Sequence, residues 1–124
     1  VTTRLDLGIS GLRSVEGNIL VCLTQNPKYF PDCSGDPARR TLTIAAARAT
    51  GAHIPDLAPG QYALSLVHDE NGNGKLDTRL GIPREGFGFS RNPPIRFGAP
   101  SFSAVQFLVS GAEMRQPIRV RYLF

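Results

Sequence analysis

Oxygen-bearing side chains recur at alternate positions through His68-Asp69-Glu70-Asn71-Gly72-Asn73-Gly74-Lys75-Leu76-Asp77. A short loop of that pattern can wrap a hard cation. In calcium loops the side chains at positions one, three and five coordinate, a glycine at position six permits the turn, and position seven gives its backbone carbonyl. Asp69, Asn71, Asn73, Gly74 and Lys75 occupy those places, Leu76 stands where an apolar anchor is usual, and Asp77 takes position nine, which often coordinates through water. Position twelve, where a bidentate carboxylate is expected, is Leu80. The closing ligand must therefore come from elsewhere, and Glu85 is the nearest candidate. Calcium is preferred over magnesium because a ring of protein oxygens suits a large, flexible shell, whereas magnesium keeps much of its water.

The alternative is a plain hairpin turn, since Asn71-Gly72 and Asn73-Gly74 both supply positive φ at little steric cost. Charge placement favours the ion: a chain of net charge +4 gathers Asp69, Glu70 and Asp77 into one loop, where like charges repel unless neutralised.

Other chemistry is sparser. Ser90, Ser101 and Ser103 lie in a glycine-rich stretch and His68 precedes Asp69, so a hydrolase near His68 is one alternative. No G-x-S-x-G elbow or phosphate loop accompanies them. Asp69, Asp77 and Glu85 could serve acid and base roles but are better explained as ligands. His68 continues the face of Tyr62, Leu64 and Leu66 and is expected to pack against a sheet. A non-enzymatic protein is the expectation. A second alternative is a glycan- or peptide-binding surface made by Phe87, Phe89 and Phe97 with Arg84, Arg91 and Arg96. Against it stands the simpler role of those rings as a satellite core, because aromatic rings usually pack.

The elements that must position these residues are strands. Leu5, Leu7 and Ile9 share a face, as do Ile19, Val21 and Leu23, and Tyr62, Leu64 and Leu66. Val105, Phe107 and Val109 repeat the pattern, and Ile118, Val120, Tyr122 and Phe124 alternate with Arg119 and Arg121. Thr41 to Ala47 reads as a strand, although its alanines would also suit a short helix. His53 to Leu57 is a further strand, and Ala58-Pro59-Gly60 turns the chain into the next. About seven or eight short strands with Gly and Pro punctuation predict an all-β, antiparallel β-sandwich of immunoglobulin or transthyretin type. Residues 78–103 form a long connection rich in Gly, Pro and Phe. So many aromatics argue for an ordered excursion that folds back beside the Asp69 loop.

At 124 residues the chain is one domain over 1–124, and no apolar run approaches the roughly 20 residues of a membrane helix. Cys22 and Cys33 flank a loop that a disulfide could close; the alternative is a buried strand thiol and an unrelated loop thiol. The pI of 9.6 raises a nucleic-acid reading, but the arginines form no run and no stacking platform, so a solvated surface and no nucleic-acid partner are expected.

The 68–77 block, then Leu80-Gly81-Ile82-Pro83-Arg84-Glu85-Gly86-Phe87-Gly88-Phe89-Ser90, then Phe97-Gly98-Ala99-Pro100-Ser101-Phe102, resembles a bacterial family of small, usually exported domains of unknown function, domain of unknown function 2141. The match runs from Leu57 onward. The resemblance implies a periplasmic or secreted location and a transthyretin-like or carboxypeptidase-regulatory-like sandwich, with Val1 following a removed signal peptide. Leu57-Ala58-Pro59-Gly60-Gln61-Tyr62 looks like the strand-turn-strand corner of such sandwiches, and the 69–77 loop looks like the calcium loops of bacterial surface adhesins. No reaction is implied. The expectation is a monomeric structural or interaction module of the cell envelope, with calcium as its ion and an envelope protein or glycan as its partner.

Overall fold

Alternation of apolar and polar residues builds Asn18–Thr24 and Gly60–Asp69, the central strands of a five-stranded sheet. The computed structural model describes residues 1–31, 33–72, 78–79, 82–83, 85–94 and 99–122, with backbone alone at 34, 78, 79, 82 and 83. Strands β1 (Thr3–Ser10), β2 (Asn18–Thr24), β3 (Arg40–Ala45), β4 (His53–Leu57) and β5 (Gly60–Asp69) are followed by the two-residue strands β6 (Thr78–Arg79) and β7 (Ile82–Pro83). Then come β8 (Gly86–Phe89), a helical turn α1 (Phe102–Val105), β9 (Phe107–Val109) and β10 (Glu113–Arg119). One sheet has the order β3-β2-β5-β8, with β9 paired to the first residues of β5, and the other has the order β10-β1-β4. The two sheets pack as a β-sandwich.

The inward faces supply the core. Ile19, Val21 and Leu23 of β2 and Leu64 and Leu66 of β5 meet Leu5 and Leu7 of β1, Ile54 and Leu57 of β4, and Ile118 of β10, all buried. Burying each such side chain contributes about 1.5–3 kcal/mol, so this layer outweighs any single polar contact in the molecule. The corner before β5 is tied by the Tyr62 hydroxyl, which donates to the Ala58 carbonyl at 2.8 Å, in the manner of the tyrosine corner of sandwich folds.

Several local readings change. Val105 closes the turn α1 rather than opening a strand, because the Ser101 side chain caps the Ala104 N–H at 3.3 Å and starts a helical turn. Thr41 to Ala47 divides into β3 and a 3-10 turn over Ala46–Gly51 that buries Ala46 and Ala49. The last strand begins earlier than expected and ends at Arg119, with Arg121 adding one further bridge to Phe87. β10 lies parallel to β1, from Arg4 opposite Glu113 to Ser10 opposite Arg119, within an otherwise antiparallel arrangement.

The largest change concerns the long connection, which contains a true sheet strand. β8 pairs with β5 from Ser65 opposite Phe89 to His68 opposite Gly86. Its glycines face the other sheet: a Cβ on Gly88 would lie 2.8 Å from Ile118 Cγ2 and 3.1 Å from the Arg119 carbonyl. That closeness lets Phe87 and Arg121 exchange backbone hydrogen bonds at 3.0 and 2.9 Å, joining the two sheets along one edge. Cys22 and Cys33 form a disulfide with Cα atoms 6.3 Å apart, clipping the turn over Cys33–Gly35 to β2.

Candidate functional site

The candidate cation loop springs from the end of β5. His68 sits opposite Gly86 in the β5–β8 register, and Asp69 and Glu85 are the residues next to that rung on the two chains. On its other flank Asp69 is registered with Asn18 of β2. Both carboxylates are withdrawn from solvent, Asp69 at 1% and Glu85 at 5% exposure. Gly17 makes this approach possible: at φ 68° it lies so close to the Asp69 carbonyl that a Cβ would overlap it.

Beyond Asp69 the chain turns. The Gly72 N–H donates to the Asp69 carbonyl at 3.3 Å, Gly72 adopts φ 69°, and Asn71 is exposed. That turn is compatible with a plain hairpin and with a cation loop. Asn73, Lys75 and Asp77, the remaining ligands named from the sequence, lie outside the described residues. Among the described residues no group of three or more His, Cys, Asp or Glu side chains is arranged around a common metal position. Asp69, Asn71 and Glu85 are thus the described part of the proposed ligand set.

Glu70 is committed elsewhere. Its Oε1 accepts from Arg13 Nε at 2.9 Å, with a second hydrogen bond from the same guanidinium, and its Oε2 accepts from the Ser14 hydroxyl at 3.0 Å. The Arg13 guanidinium holds the Glu70 carboxyl below its ordinary range, and the same contact raises the pKa of Arg13, helped by the field of Tyr122 and Glu85. Arg13 also stacks over the Tyr122 ring, 4.4 Å from its centroid.

His68 is fully buried and both ring nitrogens are engaged. A carbonyl can only accept, so the 2.8 Å contact to Glu16 O assigns the proton to Nε2. Nδ1 then accepts from the Tyr122 hydroxyl at 2.7 Å. In turn the Tyr122 oxygen accepts from the Arg13 backbone N–H at 3.1 Å. This is a clasp between β5, the 11–17 connection and the C-terminal run. Sequence reasoning missed Arg13, Glu16, Asn18 and Tyr122, because nothing in their local sequence links them to a loop more than fifty residues away; only the isolated charge of Glu70 asked for a partner.

The serines have structural duties as well. Ser90 is buried, its hydroxyl donating to the Val105 carbonyl and accepting from the Leu64 N–H. Ser101 caps α1 and lies 3.2 Å from the Ser103 hydroxyl.

Of the candidate aromatic and guanidinium surface, Phe87 is buried at 7% exposure and Phe89 is half-buried. Phe89 packs edge-on against Phe30 at 5.8 Å, and Phe30 meets Phe102 at 6.1 Å. Arg91 is exposed, holds φ 65° and donates to the Ser103 carbonyl at 3.4 Å. Arg84, Arg96 and Phe97 lie outside the described residues. The described rings therefore form a second packed layer on the outer side of the five-stranded sheet.

No helix is long and apolar enough to cross a membrane, among the described residues. The disulfide fits an oxidising compartment. No curated protein and no solved structure matches the chain. A family of bacterial proteins does match, across residues 7–117, and with nearly the whole sandwich inside that span the chain belongs to the family described as "Uncharacterized protein conserved in bacteria (DUF2141)".

Proposed function

We propose that this chain is a non-catalytic β-sandwich module of the bacterial cell envelope whose 69–77 loop takes up calcium. The ion would stiffen the 78–103 segment and let it present a fixed surface to an envelope protein or glycan. The observation that carries the reading is that Asp69 and Glu85, both shielded from solvent, flank the last β5–β8 rung at the start of an oxygen-rich sequence. A calcium shell needs six to eight oxygens at about 2.3–2.6 Å, drawn from carboxylates, amide carbonyls, backbone and water. Two carboxylates entering from neighbouring strands are a suitable base for that shell. The engagement of both His68 nitrogens and of the Ser90 hydroxyl in packing contacts supports a non-catalytic role.

Calcium titration by calorimetry on chelator-stripped protein, paired with thermal unfolding, tests the reading. At a calcium concentration about a hundredfold above Kd, linkage predicts about 2.7 kcal/mol of stabilisation, a rise in Tm of about 10 °C for a domain of this size. Glu85→Gln and Asp69→Asn should each abolish that rise while leaving the calcium-free Tm within a few degrees. No heat and no shift at millimolar calcium, the weak end for extracellular modules, would return the loop to a simple turn.

A further inference from the structure

Arginines that are dispersed in the sequence gather on the outer face of the three-stranded sheet. The chain carries twelve arginines and two lysines. Among the described residues, ion pairs occupy Arg4, with Asp6 at 3.1 Å, and Arg13, with Glu70. Arg115, Arg119 and Arg121 project from the outer face of β10 and its continuation, with no carboxylate within ion-pair distance among the described residues.

Their arrangement is ordered. In the parallel register Arg115 stands opposite Asp6, but Asp6 is held by Arg4. The Arg115 guanidinium lies instead against Gly8, with Nη2, Nε and Cζ 3.0–3.3 Å from where a Cβ would stand. Gly8 is opposite Pro117, one rung closer to Ser10 and Arg119. Arg115 thus leans away from the only carboxylate on its rung and toward the other two arginines. Arg121 is steadied by a hydrogen bond from its Nη2 to the Asn92 carbonyl at 3.3 Å, and the backbone of Arg119 by Asn92 Oδ1 at 2.7 Å.

Beside them lies an open depression of about 420 Å3, lined by Gly11, Arg119, Val120, Arg121 and Tyr122. A guanidinium presents a planar fork of donors that matches phosphate oxygens two at a time. We propose that this face docks on an anionic bilayer, with a lipid phosphate headgroup seated in the depression and Arg115, Arg119 and Arg121 engaging phosphates in the headgroup plane. Three arginines beside one headgroup-sized hollow suit a plane of phosphates, since of the carboxylates on the same face Asp6 is paired with Arg4 and Glu113 stands at the first residue of β10. A linear acidic polysaccharide would be better served by a groove along the strands. The proposal does not depend on the calcium loop.

The test is sedimentation with vesicles of equal parts phosphatidylglycerol and phosphatidylcholine, against pure phosphatidylcholine, at low salt and with chelator throughout. Each basic residue near an anionic surface contributes about fivefold in affinity. Arg115→Gln with Arg119→Gln should therefore weaken binding to the anionic vesicles about 25-fold. Lys28→Gln with Arg48→Gln removes the same charge from exposed sites in other turns and should change binding less than about twofold. Equal Tm values for the two double variants exclude misfolding as the cause. Failure of the unaltered protein to bind anionic vesicles, or equal losses in both double variants, overturns the proposal. So does retention on a polygalacturonate matrix with no binding to vesicles, which would assign the face to an acidic polysaccharide.

Discussion

The two faces of β8 are built from opposite materials. Toward the other sheet, Gly86 and Gly88 offer no side chain, and Ile118, Val120 and Tyr122 press directly onto the backbone. Away from it, Phe87 and Phe89 present rings, Phe30 packs on Phe89, and Phe102 packs in turn on Phe30. One face joins the sheets by bare backbone approach; the other recruits a loop by aromatic packing. The contrast explains why a Gly-Phe-Gly-Phe run serves as a strand here. Its missing side chains are filled by residues of β10 and of the run that follows it.

The sharpest way to break the arrangement is to fill the bare face. Gly88→Val would place methyl groups onto Ile118 and the Arg119 carbonyl. Overpacking against backbone should cost about 3 kcal/mol or more, read as a loss of about 12 °C in Tm and as loss of amide-exchange protection at Phe87 and Arg121. Unchanged stability would mean that the sheets can part at this edge without penalty.

The ringed face should be more forgiving. Its covering loop is held by the disulfide, so Cys22→Ser with Cys33→Ser releases it from β2 while leaving the inner core untouched. Loop-closure entropy for a separation of 11 residues sets the loss at about 2.5–3 kcal/mol. Chemical denaturation should show it, with increased protease cutting confined to 25–32. Cutting that spread to β8 would mean that the two faces are one cooperative unit.

A smaller effect tests the same loop by pH. Asp36 is buried, and the Thr24 hydroxyl at 2.5 Å and the Ala38 N–H at 2.8 Å hold its carboxyl below the usual range. A depressed folded-state pKa means that the unfolded chain binds the proton more readily. The contribution is therefore full above the unfolded value near 3.8 and is lost as pH falls through the folded value. The Tm difference between the unaltered protein and Asp36→Asn should be constant from neutral pH down to about pH 5 and close at lower pH. A difference that persists into strong acid would assign the effect to packing instead of charge.

How much of this was legible depends on where the information sits. β1, β2 and β5 could be read because each inward position carries an apolar side chain of its own. β8 could not, since its inward face is filled by residues of β10 and the run after it, and glycine at alternate positions resembles a loop. Val105 fits a strand alternation equally well until the cap at Ser101 is known. Asp69 and Asn71 announced a turn of unusual chemistry, and Glu85 was chosen only for nearness in sequence. The β5–β8 register puts Glu85 next to the His68–Gly86 rung, a neighbourhood that the primary structure does not show. The clustering of Arg115, Arg119 and Arg121 was equally hidden, because it depends on Arg115 leaning over Gly8 from a parallel neighbour.

That parallel pairing also bears on when the molecule can become itself. β1 finds its partner in β10, almost the whole length of the chain away, and the Phe87–Arg121 bridge that seals the sheet edge follows directly after β10. A chain emerging from its N-terminal end must hold β1 with one open side until β10 has been made. Pairings of such long sequence separation form slowly. β10 is then a latch: only its arrival completes the pairing of β1 on both sides.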